Sequence, residues 1–203
     1  MKYTLTLSAL ISLMLLSDVS AAEDAHNKID TNQTISKTGE SGKHDSQPLS
    51  KNQQSVLKMT HEIAISDGLK NPAVLKGIIM QESKAGTAKK FRTAAHKKSS
   101  DQTVGLGQIK VGTAKTVLKR YPELRQQFGV SDSSIQNMLA HNDRFNVAVA
   151  SKYIKMLYEI RRDDDYVIAA YNKGPGGAMH IKKPYKLPYV KAVKGHISSL
   201  HFS

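Results

Sequence analysis

Apolar residues recur at helical spacing through most of the chain beyond residue 50, and this periodicity constrains the fold more than any other feature. One stripe follows Val56, Thr60 and Ile63 and stops near Gly68. The pair Asn71-Pro72 is typical of an N-cap followed by the first helical residue. These patterns predict two successive helices, the first ending at Gly68 and the second at Gly86. The predicted apolar face of the second consists of Val74, Leu75, Ile78 and Ile79.

Later segments repeat the pattern. Asn142 or Asp143 is predicted to cap a long helix, the acidic residues from Asp163 begin another, and Pro188 precedes a last one. Strand-like alternation never persists beyond a few residues. Residues 89–108 are polar, basic and glycine-containing, and they predict at most a short hairpin or an irregular loop. The fold class is therefore mainly α.

The start of the chain reads as a secretory signal peptide over residues 1–22. A basic Met1-Lys2 start precedes an uncharged apolar run from Thr4 to Leu16, and Val19–Ala21 fits a small-x-Ala cleavage pattern. That run is shorter than the roughly 20 apolar residues that cross a bilayer. We expect cleavage after Ala21 or Ala22, with an uncut anchor as the alternative. Secretion across the inner membrane to a periplasm follows, with no stable membrane insertion after cleavage.

Residues 23–50 form a polar segment that is predicted to be a flexible linker before a domain over 51–203. The segment has too few large apolar side chains to offset the entropy of ordering it. Acidic and basic residues cancel up to Lys58, so the formal net charge of +13 belongs to the folded part. Such a basic domain predicts a polyanionic partner. Export makes nucleic acid a poor candidate.

Several classes of chemistry are excluded by what the sequence lacks. Because the chain contains no cysteine, it has no disulfide, no thiolate metal site and no cysteine nucleophile. The 8 histidines are not spaced as metal ligands, and the sequence contains neither a G-x-S-x-G motif nor a Walker A motif. We therefore expect no metal and no cofactor.

Glu82 is an acidic residue in an apolar stripe. It follows Ile78 and Ile79 at helical spacing and lies in the last turn before Gly86. Burial and the negative end of the helix dipole should both raise the pKa of its carboxyl group. Such a shift is typical of a catalytic acid. The alternative is a structural carboxylate neutralised by a neighbouring lysine such as Lys84.

Three motifs occur in order: Met80–Ser83, Val104–Ile109 and Ala169–Gly176. Together they resemble the lytic transglycosylases of the soluble-lytic-transglycosylase type, which have a goose-lysozyme-like fold. The resemblance spans about Gln54 to His196, and it includes Tyr189–Val193 of the last helix. It implies a lysozyme-like helical domain that acts on peptidoglycan glycan strands.

The resemblance also implies roles for single residues. Glu82 matches the family's single catalytic acid/base. The substrate-binding positions that it implies are Ser83, Gly105, Gln108, Tyr171 and Asn172. Structural alternatives remain open, because Gln108 could cap a loop, Tyr171 could be a core aromatic and Asn172 could terminate a helix. At Gly107 the family more often has Met, which predicts a changed groove floor and subsite preference.

The implied reaction cleaves the β-1,4 bond between N-acetylmuramic acid and N-acetylglucosamine and leaves 1,6-anhydro ends. Glycoside hydrolysis ordinarily needs two carboxylates, and the other acid between Glu82 and Gln108 is Asp101. A hydrolytic muramidase that uses Asp101 is therefore one alternative. A non-catalytic wall-binding module and a basic accessory protein for polyanions are two others. Composition does not separate general wall turnover from local opening of the wall for an envelope-spanning secretion or conjugation apparatus.

Overall fold

A computed structural model describes residues 48–89, 91 and 102–201 of the chain. The predicted signal peptide, nearly all of the predicted linker and Asp101 lie outside these residues and stay predictions. From Leu49 onward the described residues belong to one compact unit.

Helices dominate the described part, as the periodicity predicts. Its eight α-helices are α1 (Lys51–Ser66), α2 (Pro72–Ser83), α3 (Val111–Arg120), α4 (Glu123–Phe128), α5 (Ile135–His141), α6 (Asp143–Ile160), α7 (Asp164–Met179) and α8 (Pro188–His201). The two strands are β1 (Thr103–Val104) and β2 (Ile109–Lys110), and Pro184–Lys186 form a 3₁₀ turn. The mainly α prediction is confirmed.

The predicted caps hold the starts of three helices. Asn71 Oδ1 accepts a hydrogen bond from Ala73 N at 3.1 Å, and Asn142 Oδ1 accepts one from Phe145 N at 2.9 Å. Asp163 Oδ1 accepts one from Tyr166 N at 2.7 Å. Each bond satisfies an amide that the first helical turn leaves without a carbonyl partner. Of the two residues proposed to cap the long helix, Asn142 is the one that does so.

The end of α2 differs from the prediction. The helix stops at Ser83, three residues before Gly86, because Lys84 already has φ +50°. Ala85 and Gly86 follow with φ +48° and +86°, so the chain makes a left-handed turn directly after the helix. A glycine was expected to break the helix, but two residues with side chains do so first.

The core lies between α2 and its neighbours α1 and α8, with α6 packed against α1, α5 and α7. The predicted apolar face of α2 is fully buried through Val74, Leu75, Ile78 and Ile79. Burial of these side chains supplies the main free energy that fixes α2. No helix in residues 48–89, 91 and 102–201 has the length and hydropathy to cross a membrane.

Strands β1 and β2 form an antiparallel hairpin in which Val104 pairs with Ile109. The residues between them, Gly105–Gln108, form its turn. At most a short hairpin or an irregular loop was expected near 89–108, and the described residues there form a short hairpin. Helices α4 and α5 were not predicted, because they have six and seven residues and are too short for a periodic signal. Helix α7 is kinked at Gly174, where φ is +74°.

Candidate active site

Glu82 lies in the last turn of α2, where α8 packs against that helix. Its carboxylate is partly buried, and Oε1 accepts a hydrogen bond of 2.5 Å from the hydroxyl group of Tyr189. Burial raises the pKa of Glu82 above its ordinary value of 4.5, and the bond from Tyr189 opposes part of that rise. The direction predicted from the sequence is confirmed, with desolvation as its main cause.

The alternative of a lysine neutralising Glu82 finds no support in the described residues. Lys84 is exposed, and within the part of the chain that the structure describes no ion pair joins Glu82 to a basic side chain. A neutral phenol therefore takes the place expected for a cation. Such a partner solvates the carboxylate while leaving its pKa raised.

Tyr171 is the third member of what we call the acid–tyrosine cluster, which consists of Glu82, Tyr171 and Tyr189. The Tyr171 hydroxyl group donates a hydrogen bond of 2.7 Å to Gly107 O. Burial, and then the negative charge of Glu82, raise the pKa of both tyrosines. Both phenols therefore stay protonated and act as hydrogen-bond donors, Tyr189 to Glu82 and Tyr171 to Gly107 O.

The hairpin turn is fixed from inside by Asn146, a fully buried residue of α6. Its Nδ2 donates to Val104 O at 2.7 Å and to Leu139 O at 2.9 Å, and its Oδ1 accepts from Gly107 N at 2.7 Å. Three strong bonds satisfy the amide and join β1, α5 and the turn. The sequence analysis missed Asn146, because the position of a polar residue in an apolar helical stripe does not show which distant groups it bonds.

The two glycines of the turn approach protein groups closely. A Cβ atom at Gly105, where φ is +77°, would lie 2.1 Å from Asn146 Nδ2 and 2.2 Å from Leu139 O. At Gly107 it would lie 2.9 Å from the Tyr171 hydroxyl oxygen. The lack of a side chain at these two positions is therefore required by packing within the protein, and the contact of Gly105 with substrate stays a prediction.

Gln108 turns inward as well. Its Nε2 donates to Gly105 O at 2.8 Å and to Phe91 O at 3.1 Å, and its Oε1 accepts from Thr103 Oγ1 at 2.9 Å. The structure thus favours the loop-capping alternative for this side chain. Its direct contact with sugar stays a prediction.

Ser83 and Asn172 have different surroundings. The Ser83 side chain is fully buried, where its Oγ donates to Ile79 O at 3.1 Å and accepts from Gly86 N at 3.3 Å. It therefore supports the turn after Glu82, and its role in binding substrate stays a prediction. Asn172 is exposed at the surface, next to the acid–tyrosine cluster along the chain.

Tyr189 was missed as a site residue, although its segment carried part of the resemblance. Its partner Glu82 is 107 residues away in sequence, so no local pattern connects the two. Its place directly after Pro188, at the start of α8, was the available signal. In the described ranges no three His, Cys, Asp or Glu side chains group in a way that could hold a metal ion.

A helical bundle with a partly buried acid at the end of one helix and a small hairpin beside it is a lysozyme-like domain. The comparison with protein families gives the particular member of that class. The family model described as the transglycosylase SLT domain matches residues 62–188, more than half of the chain. The chain belongs to this family, whose members are peptidoglycan lytic transglycosylases. No curated protein and no solved structure matches it significantly.

Proposed function

We propose that this protein is a secreted lytic transglycosylase that uses Glu82 as its single acid/base. It cleaves the β-1,4 bond between N-acetylmuramic acid and N-acetylglucosamine and leaves 1,6-anhydro-muramoyl ends. One observation carries the proposal: Glu82 is desolvated, its pKa is raised, and its one described side-chain hydrogen bond comes from a neutral phenol. Family membership supplies the substrate class.

The first half of the reaction needs a proton at the glycosidic oxygen. Because its pKa is raised, the Glu82 carboxyl group keeps its proton to a higher pH than an ordinary glutamic acid does, which suits it to act as a general acid. Because Oε1 accepts the bond from Tyr189, Oε2 is the oxygen left to carry the proton and to donate it. As the carboxylate forms, the bond from Tyr189 strengthens, which stabilises the developing charge.

The second half needs a nucleophile. We infer that the newly formed carboxylate takes the proton of the muramoyl 6-hydroxyl group, whose oxygen then closes on C1. The neighbouring N-acetyl group shields the developing cation in the interval. This route consumes no water and regenerates protonated Glu82. An intramolecular hydroxyl group gains from a high effective molarity, so no second carboxylate is required.

Charge supports the choice of substrate. Peptidoglycan stems carry free carboxylates, and the segment between the third motif and Tyr189 bears three exposed lysines, Lys182, Lys183 and Lys186. We propose that these lysines help to hold the anionic mesh. The predicted signal peptide supports a periplasmic location, where this polymer lies. An envelope-spanning secretion or conjugation apparatus is a proposed partner.

Mass spectrometry of fragments released from purified peptidoglycan tests the reaction. Wild-type protein is expected to release fragments with anhydro ends, which are one water lighter than reducing ends, and Glu82→Gln is expected to release none. Reducing ends would refute the intramolecular step and favour hydrolysis with Asp101 as second carboxylate. Firm wall binding without any fragments would favour the wall-binding module instead.

A further inference from the structure

The backbone directly after Glu82 is strained. Lys84, Ala85 and Gly86 all have positive φ, and Ala85 is completely buried. Residues with a Cβ atom rarely adopt this region, and strained backbone persists only where surrounding contacts impose it. The contacts that impose it here therefore bear on the position of the acid two residues earlier.

Gln53 of α1 supplies one of these contacts. Its Nε2 donates a hydrogen bond of 3.1 Å to Lys84 O, which also accepts one of 2.9 Å from Thr87 Oγ1. Its Oε1 accepts from Ser50 N at 3.0 Å, while Ser50 Oγ accepts from Gln53 N at 3.3 Å. The second pair is a capping box, which starts α1. One amide therefore does two separable things.

We propose that Gln53 is a positioning residue, which latches the left-handed turn Lys84–Gly86 to the start of α1 and so fixes the direction of the Glu82 carboxyl group. The turn is held on its other sides by Ser83, whose Oγ accepts from Gly86 N, and by Leu106 of the hairpin turn, 3.3 Å from the place of a Cβ at Gly86. The effect of Gln53 on catalysis rests on the proposed function, whereas the hydrogen bond that holds the turn does not.

The two hydrogen bonds of the Gln53 amide can be separated by one substitution. Gln53→Glu keeps an acceptor for Ser50 N, and the capping box favours a glutamate at that position, so α1 should stay capped. The variant loses the donor to Lys84 O and faces that carbonyl with a carboxylate oxygen. Gln54→Glu is the matched control. It makes the same charge change and also removes an amide donor, which serves Leu49 O at 2.9 Å instead.

Two readouts on the full mature protein decide the matter. Hydrogen exchange of the Gly86 and Ala88 amides, which both donate to Ser83 O at 3.0 Å, reports on the turn. The release of anhydro-ended fragments from a soluble glycan strand reports on Glu82. In Gln53→Glu we expect exchange about three- to tenfold faster and kcat about three- to tenfold lower with KM unchanged, the effect of losing one ordinary hydrogen bond. In Gln54→Glu both should equal those of the wild type.

The outcomes separate the latch from the proposed function. Equal amide exchange in the two variants would overturn the latch. Faster exchange in Gln53→Glu together with wild-type kcat would overturn its positioning role. If the wild type releases no fragments, the proposed function fails, whereas faster exchange confined to Gln53→Glu would still support the latch.

Discussion

Gly105→Ala should be among the most damaging single-methyl changes in the domain. The residue has φ +77°, which costs a side chain about 1–2 kcal/mol. The new Cβ would lie 2.1 Å from Asn146 Nδ2 and 2.2 Å from Leu139 O, well inside van der Waals contact. Relieving the overlap must displace a buried amide that makes three hydrogen bonds. Overpacking and one broken buried bond each cost about 1–3 kcal/mol, so we expect a loss of about 3 kcal/mol or more.

Two other glycines separate these causes. Gly68 has φ +67° with nothing within 4 Å of a built Cβ, so Gly68→Ala should show the backbone cost alone. Gly112 lies in α3 with equally open space and no positive φ, and Gly112→Ala should be neutral or slightly stabilising. Free energies of unfolding from urea titrations at a common pH compare the three. A loss in Gly105→Ala within about 1 kcal/mol of that in Gly68→Ala would refute the role of the close contact.

Three further predictions concern the site and its surroundings. Because the raised pKa of Glu82 favours its neutral form in the folded state, the contribution of this group to stability is complete below its ordinary pKa of 4.5 and is lost as pH rises through the raised value. The free energy of unfolding of Glu82→Gln, measured by denaturant titration, should therefore increase relative to that of the wild type as pH rises from about 4 to about 8. A difference between the two proteins that does not change with pH would contradict this. Tyr189→Phe removes a bond that lowers the pKa of Glu82, so the midpoint of the kcat–pH profile should move up and kcat should fall by about tenfold or more. An unchanged midpoint would count against the bond. Reversing the charges of Lys182, Lys183 and Lys186 should weaken binding to insoluble wall at low salt while sparing cleavage of a short uncharged glycan, and equal losses on both substrates would reject the proposed contact with the mesh.

Features that depend on residues close together in the sequence could be predicted from the sequence. Caps such as Asn71 and Asn142 work within one helical turn, so their residue types alone predict where helices start. The position of Glu82 in an apolar stripe likewise predicts burial and a raised pKa without knowledge of the partner helix. The secretory leader and the linker rest on the same kind of local reading, and they stay predictions.

Features that depend on distant residues were beyond reach. Tyr189 and Glu82 are 107 residues apart, and Gly107 and Asn146 are 39 apart, so packing of whole helices decides both contacts. The left-handed turn after Ser83 was also missed, because residues with a Cβ atom seldom adopt positive φ unless tertiary contacts impose it. The resemblance assigned Gln108 to sugar, which stays a prediction, whereas the bonds of its amide to Phe91 O and Gly105 O were not predicted individually.

The hydrogen bonds of Asn146 have a consequence for the order of folding. A hairpin with two residues in each strand has no stability of its own, and its anchor to Val104 spans 42 residues of sequence. We therefore expect the turn to become ordered after α5 and α6 have packed together, late on the folding pathway. During refolding, the circular dichroism of the helices should therefore recover before the acid–tyrosine cluster is complete. A chain caught between these stages would have the helical content of the native protein and no working site.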